Sequence, residues 1–146
     1  MDKGLLDETV VITFGTFDLF HVGHLRILQR AMEFGTTLHV GVSSDALNFK
    51  KKNRTPVVPC TDRMEIVRSI SGVSSVFVED DLEKKEMYCK QMGANVLVMG
   101  DDHRGSFDHL KTTGIRVIYI PRTEGVSTSQ LLFKINKLKR SGSLTK

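Results

Sequence analysis

Val10-Val11-Ile12-Thr13-Phe14-Gly15-Thr16-Phe17-Asp18-Leu19-Phe20-His21-Val22-Gly23-His24 changes character twice in fifteen residues. Its first five residues are apolar or β-branched, as in a strand buried on both faces. A turn containing glycine follows, and the amphipathic stretch from Leu25 to Phe34 then reads as a helix. Strand, tight turn and helix N-terminus in that order make an anion site. Unpaired backbone N–H groups and the positive end of the helix dipole converge on one point. His21 and His24 fall on one side of the first helical turn and add side-chain donors. A phosphate chain held there would have its developing charge spread over the protein while a phosphorus atom is attacked.

The same alternation continues along the chain. Short runs rich in Val and Ile at Val10–Phe14, Thr37–Val42, Val73–Val78, Asn95–Met99 and Arg116–Ile120 read as strands. Helical patterns lie at His24–Phe34, Asp62–Ile70, Leu82–Met92 and Thr128–Arg140. Asp62 with Glu65 reads as a capping box, Gly35 and Gly93 as helix stops, and Ser127 as an N-cap. This order predicts an α/β fold: a Rossmann-like, doubly wound, five-stranded parallel sheet with helices on both faces. A single domain over residues 1–140 is expected, followed by a flexible tail at 141–146.

Composition narrows the classes of function. The 146 residues are 40% hydrophobic and 26% charged, which is ordinary for a soluble globular domain. No apolar run reaches the length of a membrane span, and Met1-Asp2-Lys3 does not open a signal peptide. Cys60 and Cys89 are far apart and in no CxxC arrangement, so they read as free thiols in a reducing compartment, the cytoplasm. His103 and His109 do not suggest structural zinc, because the cysteines lie at no ligand spacing. The net charge of +4 and pI near 9.2 suit either nucleic acid or polyphosphate substrates. Much of the basic excess sits in Lys50-Lys51-Lys52-Asn53-Arg54 and beyond Lys134, with no interleaved aromatics to stack bases. A small anionic partner is favoured over nucleic acid.

In a sheet of this kind, ligands bind beyond the carboxyl ends of the strands. Those ends carry Gly15-Thr16-Phe17-Asp18, Ser43-Ser44-Asp45, Gly100-Asp101-Asp102-His103 and Pro121-Arg122-Thr123-Glu124-Gly125. Gly100-Asp101-Asp102 is either a plain turn or a set of carboxylates for a ribose, an amino group or a metal ion. Arg122 to Ser129 offers a second helix N-terminus together with a planar guanidinium fork for phosphate. Lys50 to Arg54 precedes Pro56 and Pro59 and reads as a loop able to fold over the site and neutralise an attacking phosphate. Arg63, Lys84 and Lys85 are further cations that could serve that end.

Taken together, these motifs resemble the HxGH nucleotidyltransferases in their cytidylyltransferase branch. The residues that carry the resemblance are Gly15 to His24, Lys51, Arg63, Val98-Met99-Gly100-Asp101-Asp102 and Pro121 to Thr128. It runs from Val10 to about Ile135, and the block Arg122-Thr123-Glu124-Gly125-Val126-Ser127-Thr128 is most similar to members acting on glycerol 3-phosphate. The resemblance implies transfer of CMP from CTP to a small phosphorylated alcohol, giving CDP-glycerol and pyrophosphate by direct in-line attack. It also implies Mg²⁺ as divalent cation with unassigned ligands and a homodimer; no membrane partner is expected, and CDP-glycerol could feed wall teichoic acid, a capsule or another surface polymer, between which the sequence does not choose. Carried over by position, His21, His24, Lys51 and Arg122 are catalytic, and Lys51 and Lys85 meet the acceptor phosphate. Gly15, Thr16, Phe17, Asp18, Gly23, Arg54, Arg63, Asp101 and Asp102 belong to the nucleotide site, as do Thr123, Glu124, Gly125, Val126, Ser127, Thr128 and Ser129.

Two positions depart from the pattern. Asn53 or Arg54 stands where the family has a second lysine that contacts CTP, and Ser71 stands where it commonly has an arginine. The alternatives are a cytidylyltransferase for choline, ethanolamine or another polyol phosphate, an adenylyltransferase resembling FAD synthetase, and a regulatory module that binds nucleotide without turnover.

Overall fold

The computed structural model describes residues 7–143. In chain order the elements are β1 (Val10–Gly15), α1 (Val22–Met32), β2 (Thr37–Ser43), α2 (Asp45–Lys52), α3 (Cys60–Arg68) and β3 (Ser75–Glu79). A 3-10 turn at Leu82–Lys84 leads into α4 (Lys85–Met92), then β4 (Val96–Gly100). Two further 3-10 segments, Asp101–His103 and Asp108–Thr113, precede β5 (Arg116–Ile120) and α5 (Thr128–Arg140).

All five strands are parallel, in the order β3-β2-β1-β4-β5. The chain therefore starts in the middle, winds to one edge, and returns to build the other. That reversal leaves a crevice between the carboxyl ends of β1 and β4. Adjacent residues of β1 serve opposite cores: Val11 and Ile12 are both fully buried, on different faces. One face packs Val11, Val40 and Val98 against Leu28 and Ala31 of α1 and Val67 of α3. The other packs Ile12, Phe14 and Met99 against Tyr88 and Cys89 of α4 and Leu110. The fold is the doubly wound sheet that the pattern predicts.

Several boundaries differ for local reasons. The basic run at Lys50–Lys52 is not loop but the last turn of α2. Ser44 Oγ caps that helix by accepting from Leu47 N at 3.0 Å, and Asn53 ends it in the left-handed conformation (φ 55°). Three lysines at a helix C-terminus also suit its dipole. Asp62 makes no capping box, since α3 starts earlier, behind Pro59 and without a side-chain cap, and Asp62 lies inside the first turn. β3 begins at Ser75, because Val73 N still closes a turn onto Ile70 O. At residues 141–143, Ser143 N bonds Leu138 O at 3.0 Å around left-handed Gly142, a closed helix end. Residues 144–146 of the expected tail, and Met1-Asp2-Lys3, lie outside the described residues. Ser127 does cap α5, accepting from Gln130 N at 3.1 Å.

Candidate active site

The carboxyl ends of the strands open into a cleft of about 590 Å³. Its first wall is the start of α1. His21 is the N-cap residue: its Nδ1 accepts from Gly23 N at 3.1 Å, while His24 Nδ1 accepts from His21 N at 3.3 Å. The two rings stack with centroids 3.7 Å apart. A ring nitrogen that accepts a backbone N–H carries no proton, so each neutral imidazole holds its hydrogen on Nε2. Electrostatics agree with neutral rings. Burial, then His21 and Arg122, push the His24 pKa down to about 3 against a smaller opposing pull from Asp18. His21 is lowered by burial and by Arg122. Gly23 makes the stack possible, because a Cβ there would sit 2.9 Å from His21 Cε1 and 3.2 Å from Val126 Cγ1.

The turn between β1 and α1 is strained and heavily braced. Phe17 (φ 57°) and Leu19 (φ 50°) both adopt the left-handed region, which costs a side-chain-bearing residue about 1–2 kcal/mol. Asp18 holds it: one carboxylate oxygen accepts from Val57 N at 2.8 Å, the other from Val58 N at 2.9 Å and Leu19 N at 3.1 Å. Thr128 Oγ1 donates to Asp18 O at 2.8 Å, tying the start of α5 to the same turn. The Phe17 ring is buried against Phe20 and His24.

Arg63 is a strut and not a ligand of the nucleotide. Its side chain is wholly buried, with Nε donating to Val58 O, Nη1 to Thr16 O and Ser43 O, and Nη2 to Asp45 Oδ1. Its long-range bonds spend the guanidinium on the chain itself.

Across the cleft stands α5, with Val126, Ser127, Thr128 and Ser129 on the lining and its free N–H groups facing the same space as those of α1. Arg122 is half exposed, with Nη1 3.5 Å from Asp102 Oδ2, and Asp102 also approaches His103 Nε2 at 3.7 Å. Thr123 Oγ1 is buried and has no hydrogen-bond partner among the described residues. Gly15, Thr16, Gly23 and Arg54 also line the cleft, whereas Asp101, Glu124 and Gly125 do not. The last two form the turn into α5, where Gly125 takes φ 80°.

At the far end a line of polar groups crosses the tips of β2 and β3. Lys51 Nζ lies 3.4 Å from Ser43 Oγ, which lies 3.3 Å from Glu79 Oε1. Glu79 Oε2 accepts from Lys85 Nζ at 2.5 Å. Glu79 and Lys85 are almost fully buried. Burial lowers the Lys51 pKa, helped by Lys85, Lys52 and Arg63 and opposed by Glu79. A partly desolvated ammonium gains more from an incoming anion than one in open water.

Two residues here, Asn48 and Glu79, escape sequence reasoning. Asn48 is buried on α2, accepts from Thr16 Oγ1 at 2.8 Å, and donates to Ser44 O. Glu79 closes the polar line beside Ser43. Their only signal is a polar residue at a strand end or on a buried helix face. Among the described residues, no cluster of three His, Cys, Asp or Glu side chains is arranged to hold a metal ion, and no helix is long and apolar enough to cross a membrane.

Residues 12–138 match the family described as cytidylyltransferase-like. The chain belongs to that family. Glycerol-3-phosphate cytidylyltransferase of Bacillus spizizenii is 41% identical to it, the match covering 83% of this chain and 92% of that protein. The enzyme of the same name from Staphylococcus aureus is 40% identical over 83% of this chain and 90% of its own length. An FAD synthase of Pyrococcus abyssi is 31% identical over 88% and 93%. Among solved structures, a lipopolysaccharide core biosynthesis protein from Thermoplasma volcanium superposes with a TM-score of 0.71 over 80% of this chain and 99% of its own. At 16% identity that likeness speaks to the fold alone.

Proposed function

We propose that the protein transfers CMP from CTP to glycerol 3-phosphate, forming CDP-glycerol and pyrophosphate. The observation that carries this reading is the pair of stacked histidines, each locked with Nδ1 as acceptor and Nε2–H free, facing a second helix N-terminus and Arg122 across one cleft. An oxygen of the acceptor phosphate attacks the α-phosphorus of CTP. A new P–O bond forms and the bond to the bridging oxygen of the β-phosphate breaks, so pyrophosphate leaves in line. No base is required, because the acceptor phosphate is already mostly a dianion at neutral pH, its second pKa being about 6. Neutral Nε2–H donors of His21 and His24 bond the oxygens on which charge builds, while the Arg122 guanidinium and the α5 amides hold the departing phosphates. Lys51 and Lys85 receive the acceptor phosphate and lower its repulsion from the triphosphate.

Mg²⁺, if bound with the triphosphate, would neutralise part of its charge. Of the carboxylates on the lining, Asp18 is committed to backbone amides and Glu79 to Lys85, which leaves Asp102 as the one able to meet the ion. Two copies of the chain working as a homodimer in the cytoplasm belong to the same proposal. Exposed Phe49 and Val57 are apolar surface that association would cover, and molar mass in solution tests it.

Pyrophosphate release with Mg²⁺, offering CTP or ATP with a panel of phosphorylated acceptors, decides the reaction. Release confined to CTP with glycerol 3-phosphate is expected. Release with ATP and FMN, or with another alcohol phosphate, would replace the substrates. Silence across the panel with CTP still bound would overturn turnover itself.

A further inference from the structure

The acceptor end of the cleft contains everything needed to bind an organic cation, already filled by the chain's own ammonium. Lys85 Nζ sits 4.6 Å from the centre of the Phe14 ring and 5.2 Å from that of Phe107. It also donates to the buried carboxylate of Glu79 at 2.5 Å. Aromatic faces beside a carboxylate are the surroundings that quaternary and primary ammonium ligands seek. Here both the π faces and the negative charge are taken. Ser43 Oγ lies near the other carboxylate oxygen, with Lys51 beyond it, so two ammonium groups flank one carboxylate and the end carries a net positive charge.

We propose that the Glu79–Lys85 pair selects the acceptor: Lys85, held by Glu79 across Phe14 and Phe107, excludes phosphorylated amino alcohols and admits phosphates of uncharged polyols. Glu79 is then a positioning residue and Lys85 a substrate contact. This rests on the reading that the acceptor phosphate enters beside Lys51 and Lys85. It adds the class of alcohol that such an end tolerates and the reason. With the phosphate drawn towards Lys51, a cationic head group would reach the place between Phe14 and Phe107 that Lys85 Nζ fills, and like charges so close in a poorly solvated site repel strongly. A glycerol moiety carries no charge to oppose.

The inference is tested with choline, which has the cation and no phosphate, alongside turnover of glycerol 3-phosphate and phosphocholine. Lys85→Ala uncovers Glu79, Phe14 and Phe107. It is expected to bind choline at least about tenfold more tightly than the parent protein does, a shift set by recovering one cation contact. The ratio of kcat/KM for glycerol 3-phosphate over phosphocholine should fall by a similar factor or more, with the KM for CTP nearly unchanged. Glu79→Gln combined with Lys85→Met removes both charges of the buried pair. That double variant should not bind choline and should show a raised KM for glycerol 3-phosphate only. A folded Lys85→Ala that ignores choline and keeps its discrimination would overturn the inference. So would a double variant with the parental KM for glycerol 3-phosphate, which decides the matter if Lys85→Ala does not fold. Choline binding gained by Lys85→Ala in a protein that never makes CDP-glycerol would uphold the cation site and remove the reaction proposed above.

Discussion

In the proposed reaction, the two ends of the cleft hold phosphate in different ways. The nucleotide end relies chiefly on uncharged donors, two imidazoles with their protons on Nε2 and two helix N-termini, with the half-exposed guanidinium of Arg122 beside them. The acceptor end uses full charges, two ammonium groups around a carboxylate that is 1% exposed. The difference follows from what each end must do. Charge appears at the α-phosphorus only as the reaction proceeds, so donors fixed in advance stabilise the transition state more than the bound substrate. The acceptor arrives as a dianion and has to be brought against a second anion, which only net positive charge achieves.

Arg63 links the two ends, bonding Thr16 O on one side and Ser43 O on the other. Breaking that strut should have the largest effect. Arg63→Met removes the guanidinium bonds to Val58 O, Thr16 O and Ser43 O and the ion pair with Asp45, and is expected to lower stability by about 3 kcal/mol, read from urea denaturation. A cost near zero would mean that the guanidinium is not part of the frame. Next come the histidines. His21→Ala or His24→Ala should each lower kcat by about 10²–10³-fold with little change in CTP affinity, because the donor acts on the transition state. Steady-state rates set against CTP binding by calorimetry separate the two. Asp18→Asn should cost about 1.5–3 kcal/mol of stability, since an amide cannot accept all three backbone N–H groups as the carboxylate does. Gly23→Ala displaces the His21 ring by a few tenths of an ångström and is expected to slow turnover about tenfold without unfolding the protein.

What could be read from the chain divides along similar lines. The strands and their order of appearance were legible because each is a short apolar run bounded by turn residues, and His21, His24 and the Ser127 cap lie within four residues of a helix start. The frame behind them was not. Arg63 reaches Thr16 across 47 positions, and nothing local distinguishes a buried arginine from one facing a ligand. The Glu79–Lys85 pair exists only because β3 ends level with Ser43 and α4 folds back on it. α2 was hidden for a different reason: a run of lysines looks like solvated loop unless its caps, Ser44 and Asn53, are recognised.

The charge state of the two histidines tests the contrast between the ends most directly, by following their ring resonances in the unliganded protein from pH 8 down to pH 4. The folded pKa of His24, about 3, lies below its ordinary value of 6.5, so the unfolded chain binds the extra proton. The stability this provides is complete above about pH 6.5 and is lost as pH falls towards 3. The account predicts that His24 shows no titration step between pH 8 and pH 5, and that His21 titrates below its ordinary value. A His24 midpoint at 6.5 or above would contradict it, because the nucleotide end would then carry imidazolium and work by charge as the acceptor end does.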